Sequence, residues 1–241
     1  MRTKICGIRS ENDLRVVLEA GADAIGLICG INHRSEDEVT PELARRITQA
    51  APPFVSTVLV THRDTPDAIL DLADRTGVNT IQVHGIVTLS TLKEVKARAG
   101  SRKVLRAVHV SGDEAVEDAL EAAAHCDALL LDSRSEDRLG GTGKTHDWSI
   151  SRRIVEAVAP TGTPVILAGG LNPGNVAAAA EQVGPFGIDV NSGVDDANGD
   201  KSPELCREFV RNAERQRGGK PVRASSAGRP PPHRSVRWHQ F

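Results

Sequence analysis

The stretch "LLLDSRSEDRLGGTGKTHDW" (residues 129–148) contains the signals that decide the fold. Its three consecutive leucines form an apolar run too short for a helix, so they predict a buried β-strand. The run stops at Asp132, and three glycines and a lysine follow within a dozen residues. The stretch therefore predicts a strand that ends in an acidic residue and continues into a glycine-rich loop.

The same alternation of strand and helix recurs along the whole chain. Eight short apolar runs predict strands: "TKIC" (3–6), "AIGLIC" (24–29), "FVSTVLV" (54–60), "TIQV" (80–83), "KVLRAVHV" (103–110), "ALLLD" (128–132), "PVILA" (164–168) and "GIDV" (187–190). Apolar residues at helical spacing predict helices over 11–20, 65–76, 88–99, 113–124 and 173–183. Thr40–Pro41 and Thr65–Pro66 are each typical of an N-cap followed by proline at the first helical position.

Eight apolar strands joined by helices indicate a parallel sheet that is covered on its outer face. In a chain of 241 residues, they predict an α/β fold of one closed (β/α)8 barrel, a TIM barrel. The alternative is an open doubly wound sheet, but no G-x-G-x-x-G follows the first strand. We therefore assign residues 1–214 to a single barrel domain.

Residues 215–241 differ in composition from the barrel domain. They contain seven Lys and Arg residues and no acid. Subtracting these seven from the 30 basic residues leaves 23 against 32 acidic ones, a net charge of −9 for residues 1–214. This low-complexity basic tail cannot bury enough apolar surface to fold alone, so we expect it to be disordered. It could be a solvated extension without a role, or it could dock on RNA, a membrane or the acidic barrel.

No segment approaches the roughly 18 consecutive apolar residues of a spanning helix, and the first residues lack a signal-peptide pattern. We therefore expect a cytoplasmic protein without a membrane partner. The four cysteines are widely spaced and form no C-x-x-C pair, so neither a disulfide framework nor a zinc site is expected. Each cysteine is first interpreted as a small core residue.

The chemistry of a (β/α)8 barrel lies at the carboxyl ends of its strands. Polar and glycine residues gather at these ends: Cys6, Gly7, Gly30 to Arg34, Thr61, His62, Arg63, Gln82, His84, Gly85, Asp132, Gly169, Gly170, Asn191, Ser192 and Gly193. This rim is the candidate active site.

The loops after the seventh and eighth strands predict a phosphate site. Gly169 and Gly170 precede a helix start at Asn172–Pro173, and Ser192–Gly193 follow the next strand. Barrel phosphate sites use these two loops, and glycine lets the backbone approach the anion; the alternative is that the glycines only serve turns. "GGTGKT" is not a P-loop, because Arg138 stands where that motif needs glycine, and Lys144 equally fits a solvated loop lysine.

The residues resemble the phosphoribosylanthranilate isomerase family of tryptophan biosynthesis. The motifs that carry the resemblance span residues 3 to 213 in family order: "KICGI" (4–8), "GADAIGL" (21–27), "PPFV" (52–55), "QVHG" (82–85), "LLLDS" (129–133), "GGTGKTHDWS" (140–149), "LAGGLNPGNV" (167–176) and "DVNSGVD" (189–195).

The resemblance implies a single-domain, phosphate-binding barrel that needs no cofactor or metal. It implies an Amadori rearrangement of N-(5-phosphoribosyl)anthranilate, with Cys6 as general base and Asp132 as general acid. Without it, Cys6 fits a core residue and Asp132 fits a helix cap or ion-pair partner. We expect the apolar residues before Asp132 to raise its pKa, and either nearby positive charge or the cationic substrate intermediate to favour the Cys6 thiolate.

The resemblance also implies the remaining site residues. The substrate-binding residues are Arg34, Gln82, His84, Gly169, Gly170, Asn191, Ser192 and Gly193, and the residues of a loop over the substrate are Gly140, Gly141, Thr142, Gly143 and Lys144. The expected partner is a phosphorylated sugar, with no nucleic acid, and the expected state is a monomer or homodimer.

The loop after the second strand departs from the family pattern. Arg34 is the only basic match for the arginine that faces the anthranilate carboxylate, three acids follow it at 36–38, and Arg63 could take over its contact. These departures keep two alternatives open. One is a related barrel enzyme that acts on another phosphorylated aminosugar, and the other is a non-catalytic phosphosugar-binding barrel.

Overall fold

The computed structural model describes residues 1–135, 138–139 and 147–214. Eight parallel strands form the barrel: β1 (Arg2–Ile5), β2 (Ala24–Ile28), β3 (Ser56–Thr61), β4 (Thr80–Val83), β5 (Lys103–Val110), β6 (Ala128–Ser135), β7 (Val165–Leu167) and β8 (Gly187–Val190). Each strand pairs with the next along the chain, and β8 pairs with β1, which closes the sheet. The predicted (β/α)8 barrel is confirmed.

Eight α-helices surround the barrel: α1 (Glu11–Glu19), α2 (Pro41–Ala50), α3 (Pro66–Thr76), α4 (Leu89–Arg98), α5 (Glu114–Ala123), α6 (Trp148–Val158), α7 (Val176–Val183) and α8 (Pro203–Glu214). The predicted proline starts of α2 and α3 are confirmed. The hydroxyl of Thr40 accepts the N–H of Leu43 at 3.2 Å, and that of Thr65 accepts the N–H of Ala68 at 3.4 Å.

Two predicted boundaries were wrong by three residues. Helix α7 begins at Val176 rather than at 173, because asparagine side chains hold the preceding turn. Asn172 Oδ1 accepts the N–H of Gly174 at 2.9 Å, and Asn175 Oδ1 accepts the N–H of Asn172 at 2.8 Å. Strand β6 continues past Asp132 to Ser135, because its last residues pair antiparallel with a two-residue strand, Arg138–Leu139.

Side chains alternate between the barrel interior and the helix layer. Inside the barrel, one apolar cluster contains Cys6 and two β3 valines, and a second contains Leu130, Ala107 and Ala168. Leu129 and Leu131 belong instead to the large core under the helices. Only the middle leucine of the run therefore faces the same side as Asp132.

The predicted basic tail and the predicted loop residues Gly140 to Lys144 lie outside the described residues. In the described part of the chain, no helix combines the length and the apolar character needed to cross a membrane.

Candidate active site

Cys6 lies directly after β1 with its side chain in the barrel interior, and it is buried. The space for its thiol comes from the neighbouring strand. A Cβ on Gly26 would lie 2.5 Å from the Cys6 Sγ atom, closer than any real Cβ contact. Glycine at position 26 is therefore required by the sulfur beside it.

A buried ion pair lies next to the Cys6 thiol in the barrel interior. The Nζ atom of Lys4 lies 2.9 Å from Oδ2 of Asp189, and their side chains are 4% and 8% exposed. Burial lowers the pKa of Lys4, but attraction to Asp189 and to Cys6 outweighs it, so the pKa lies above its ordinary value. The lysine is therefore a fixed cation beneath Cys6.

The expected positive charge near Cys6 is present as Lys4, which acts to lower the pKa of the thiol, but in the free protein burial outweighs it. Burial raises the pKa of Cys6 to about 11, although Lys4 acts in the opposite direction. Removing the thiolate from water costs more than a single nearby ammonium returns. The free protein therefore holds Cys6 as a neutral thiol at pH 7.

Asp132 lies on β6 with both carboxylate oxygens engaged. Its Oδ2 atom is 3.3 Å from Nε2 of His84, and its Oδ1 atom accepts the N–H of Ser133 at 2.9 Å. Burial raises the pKa of Asp132, but the hydrogen bond from His84 and the charge of His84 together lower it by more. The pKa therefore lies below its ordinary value. The expectation of a raised pKa was wrong for the free protein, because a histidine faces the carboxyl group.

His84 belongs to an array of four imidazoles at the rim of β2 to β5. Ring centroids are 5.2 Å apart between His33 and His62, 5.3 Å between His62 and His84, and 5.3 Å between His84 and His109. Burial, followed by the charge of His84, lowers the pKa values of His62 and His109 to about 4. These two imidazoles are therefore neutral at pH 7.

Asp189 interacts electrostatically with both predicted catalytic residues. Besides burial, its charge raises the pKa of the Cys6 thiol, and the charge of Asp132 raises the pKa of Asp189. Both residues lie at carboxyl ends of strands, on the face of the sheet that points inward. The structure thus brings the predicted acid and base to one end of the barrel.

The loops after β7 and β8 pack directly against neighbouring backbone. Gly169 and Gly170 have positive φ values of 82° and 66°. A Cβ on Gly169 would lie 2.6 Å from the Ser133 nitrogen, and one on Gly193 would lie 2.0 Å from the Leu171 carbonyl oxygen. The two predicted phosphate loops therefore touch, and no side chain other than hydrogen fits at their contact.

Asn191 is held by protein groups. Its Nδ2 atom donates to Asp37 Oδ2 at 2.8 Å, and its Oδ1 atom accepts from Lys201 Nζ at 3.0 Å. Ser192 begins a short 3-10 helix, Ser192–Val194, and is exposed. Contact of these residues with a substrate stays a prediction.

Comparison with known proteins identifies the family of the chain. The family model for "N-(5'phosphoribosyl)anthranilate (PRA) isomerase" matches residues 3–212. An N-(5'-phosphoribosyl)anthranilate isomerase of Haloferax volcanii is 42% identical over 217 residues, which cover 90% of this chain and 95% of that protein. N-(5'-phosphoribosyl)anthranilate isomerase 2 of Methanosarcina mazei is 39% identical over 215 residues, which cover 88% of this chain and 94% of that protein.

The chain belongs to the phosphoribosylanthranilate isomerase family. The crystal structure of the family member from Thermotoga maritima superposes with a TM-score of 0.78 at 36% identity, over 89% of this chain and 98% of that one. Another family structure contains reduced 1-(o-carboxyphenylamino)-1-deoxyribulose 5-phosphate and superposes with a TM-score of 0.74 at 34% identity, over 89% of this chain and 98% of that one.

The acidic loop that departs from the family pattern has a structural explanation. Glu38 Oε1 accepts the backbone N–H groups of Gly30 at 3.1 Å and Ile31 at 3.2 Å. Asp37 binds the Asn191 amide. These two acids tie the loop to the barrel. Arg34 is exposed in this loop and makes no ion pair within the described part of the chain.

Three polar residues of the candidate site were missed from the sequence. Lys4 and Asp189 lie two residues before Cys6 and Asn191 on the same strands, which places them on the same inward face. That spacing was a usable signal. His109 stands opposite Asp132 in the β5–β6 register, and only the strand pairing reveals this contact.

Proposed function

We propose that the chain isomerises N-(5'-phosphoribosyl)anthranilate to 1-(o-carboxyphenylamino)-1-deoxyribulose 5-phosphate. The observation that carries the proposal is the joint placement of Cys6 and Asp132, both buried at the carboxyl end of one barrel interior. The contact between the β7 and β8 loops supports a phosphate site beside these two residues. An Amadori rearrangement needs one acid and one base on a sugar anchored by its phosphate.

Asp132 acts as the general acid in this proposal. It transfers a proton to the ring oxygen, the C1–O bond breaks, and an open-chain iminium ion forms. In the free protein His84 lowers the pKa of Asp132. A bound substrate brings the negative charges of its phosphate and carboxylate into the same buried space and excludes water, and both effects raise the pKa of a carboxyl group. Substrate binding thereby prepares the acid.

Cys6 acts as the general base. It removes the proton from C2 of the iminium ion, and the electrons of the C–H bond form the enol amine, which tautomerises to the ketone. The thiol has a pKa of about 11 in the free protein, so it must release its own proton to water and become a thiolate before it can accept the proton from C2. The positive iminium nitrogen favours the thiolate only after the ring has opened, so the base is strengthened at the step that uses it.

The phosphate and the anthranilate carboxylate of the substrate are assigned to two different parts of the rim. We assign the phosphate to the backbone N–H groups of the loops that carry Gly169, Gly170 and Gly193. A Cβ on Gly169 or Gly193 would collide with neighbouring protein backbone and push these loops apart. Arg34 and Arg63, both exposed on the loops after β2 and β3, are the candidates for the anthranilate carboxylate, because a guanidinium can bind both carboxylate oxygens.

The test is the loss of anthranilate-derived fluorescence when freshly prepared phosphoribosylanthranilate is mixed with the protein. Asp132→Asn and Cys6→Ser should each lower kcat by about 10²–10⁴-fold while the unfolding transition remains cooperative. Cys126→Ser is the matched control, because Cys126 lies outside the barrel interior, beside the large core, and it should keep full activity.

An unaltered rate in Cys6→Ser would refute the assigned base. A wild-type protein that leaves the fluorescence unchanged would refute the proposed substrate. In that case, turnover of a different phosphorylated aminosugar would identify the related-enzyme alternative. Rescue of a tryptophan-requiring bacterial strain by the wild type, and failure of rescue by Asp132→Asn, would confirm the reaction in cells.

A further inference from the structure

We propose that His84, His109 and Asp132 bind a divalent transition-metal ion of the zinc class, and that the ion inhibits the enzyme by occupying the general acid. The inhibitory part rests on the proposed function, whereas the binding part rests on geometry alone. One nitrogen of each imidazole and one carboxylate oxygen lie within 4.8 Å of one another. The three residues come from the ends of the adjacent strands β4, β5 and β6.

The spacing of two of these atoms already suits an ion. His84 Nε2 and Asp132 Oδ2 are 3.3 Å apart. A tetrahedral Zn²⁺ with bonds of about 2.0–2.2 Å holds its ligand atoms about 3.3–3.4 Å apart. The third ligand atom therefore needs a shift of at most about 1.5 Å to complete the site.

Gln82 can orient His84 for metal binding. Its Nε2 atom lies 3.0 Å from His84 Nδ1, while its Oε1 atom is buried without a hydrogen-bond partner among the described residues. A half-turn of the amide would place Oε1 against a protonated Nδ1. This change would give Gln82 Oε1 a hydrogen-bond partner. It would also leave the lone pair of His84 Nε2 directed at Asp132. Gln82 is thus a positioning residue for the proposed site.

His109 has an unused nitrogen. Its Nε2 atom lies 3.1 Å from the His84 carbonyl oxygen and donates to it. Its Nδ1 atom is buried and has no hydrogen-bond partner in the described residues. Buried polar atoms without partners are rare because their lost hydration is not replaced. Coordination would use the remaining lone pair of this imidazole.

The donor set selects the class of ion. Two imidazoles and one carboxylate suit Zn²⁺, Co²⁺ and similar ions, whereas Mg²⁺ and Ca²⁺ prefer oxygen ligands throughout. Three protein ligands leave a fourth position for water. A carboxylate oxygen that is bound to the ion cannot carry a proton to the ring oxygen of the substrate. Metal binding and catalysis therefore exclude each other at Asp132.

Binding is tested without any use of activity, on the full chain with Co²⁺ as a visible-absorption probe and with Zn²⁺ in calorimetry. The wild type should bind Co²⁺ with visible bands typical of low coordination number. His109→Ala should weaken Zn²⁺ binding by more than about 100-fold, since even the loss of an outer-shell partner costs about 10–100-fold. His33→Ala is the matched control, because this exposed histidine lies outside the three-residue cluster, and it should bind like the wild type.

Activity is measured in parallel. Zn²⁺ should inhibit the wild type and a chelator should restore the rate, whereas His109→Ala should keep its own metal-free rate at the same Zn²⁺ concentration. Unchanged Zn²⁺ affinity in His109→Ala would overturn the site, and binding without inhibition would overturn the blocked acid. A wild type that binds Zn²⁺ at this site but never isomerises the substrate would refute the proposed function and leave the metal site standing.

Discussion

The buried pair of Lys4 and Asp189 allows a quantitative prediction for Lys4→Met, which removes the cation and keeps the length of the side chain. At an Nζ–Oδ2 distance of 2.9 Å, the attraction is about 6 kcal/mol at an effective dielectric constant of about 20, and desolvation offsets most of it. The variant instead leaves Asp189 without a partner. A buried charge in that position costs about 3–5 kcal/mol.

Asp189 can avoid this penalty only by taking up a proton. At pH 7 that costs about 4 kcal/mol for a carboxyl group with an unfolded pKa of about 3.9, so both routes predict a loss near 4 kcal/mol. Burial already raises the pKa of Asp189 in the wild type, against the opposing charge of Lys4, and loss of that charge raises the folded pKa further above its unfolded value. The contribution of protonated Asp189 to the folding stability of the variant is therefore fully present below the unfolded pKa. It is lost as pH rises through the folded pKa. The penalty should fall to about 2 kcal/mol at pH 5.5.

Urea unfolding of the wild type and of Lys4→Met at pH 7.0 and pH 5.5 measures both numbers. Lys4→Met combined with Asp189→Leu should recover most of the loss, because it removes both charges. Arg15→Met is the surface control: Arg15 pairs with Glu19 at 2.9 Å with more than half of both side chains exposed, and its loss should cost below about 1 kcal/mol. A penalty under about 1 kcal/mol at pH 7, or one that grows towards acid, would contradict a desolvated pair.

Three further changes test other parts of the site. The folded pKa of His62 is lowered to about 4, so the contribution of this residue to stability is present above pH 6.5 and is lost as pH falls towards 4. In urea unfolding, the wild type should lose about 2 kcal/mol of stability over this pH range, and His62→Gln should not show this loss. Gly26→Ala would place a Cβ 2.5 Å from the Cys6 sulfur and should lower kcat by about 100-fold in the fluorescence assay, since a displaced base is ineffective. Gly193→Ala would place a Cβ 2.0 Å from the Leu171 oxygen and should raise KM by more than about tenfold in the same assay, because it separates the phosphate loops. Unchanged kinetics in either glycine variant would show that the backbone there can give way.

The barrel was predictable because its signals are local. Thr65–Pro66 marks the start of α3 in the sequence alone, and the hydroxyl of Thr65 does cap the helix. The runs at 80–83, 103–110 and 187–190 coincide with strands of the structure. Each of these features depends on a few neighbouring residues, so no tertiary contact is needed to infer it.

The interior of the barrel was less predictable because parallel strands are apolar on both faces. The run at 129–131 does not reveal that only Leu130 faces the interior, since burial is complete for all three leucines. Lys4 and Asp189 were overlooked although each lies two residues before a predicted site residue, Cys6 or Asn191, and therefore on the same face of its strand.

The protonation of the site was the least predictable property. The pKa of Asp132 is decided by His84, which arrives from another strand and outweighs the effect of burial. Similarly, the burial of Cys6 outweighs Lys4. The balance depends on distances between residues far apart in the chain, and residue types at strand ends carry no information about those distances.

The missing side chain of Gly26 has a consequence for how this barrel can change over time. Because the sulfur of residue 6 occupies the volume that a β-carbon at 26 would need, the two positions behave as one packing unit divided between two strands. A lineage that gained a methyl group on β2 would have to shorten the neighbouring base in the same step, and the isomerase chemistry would be given up with it. Glycine at position 26 is thus as informative about the function of a relative as cysteine at position 6.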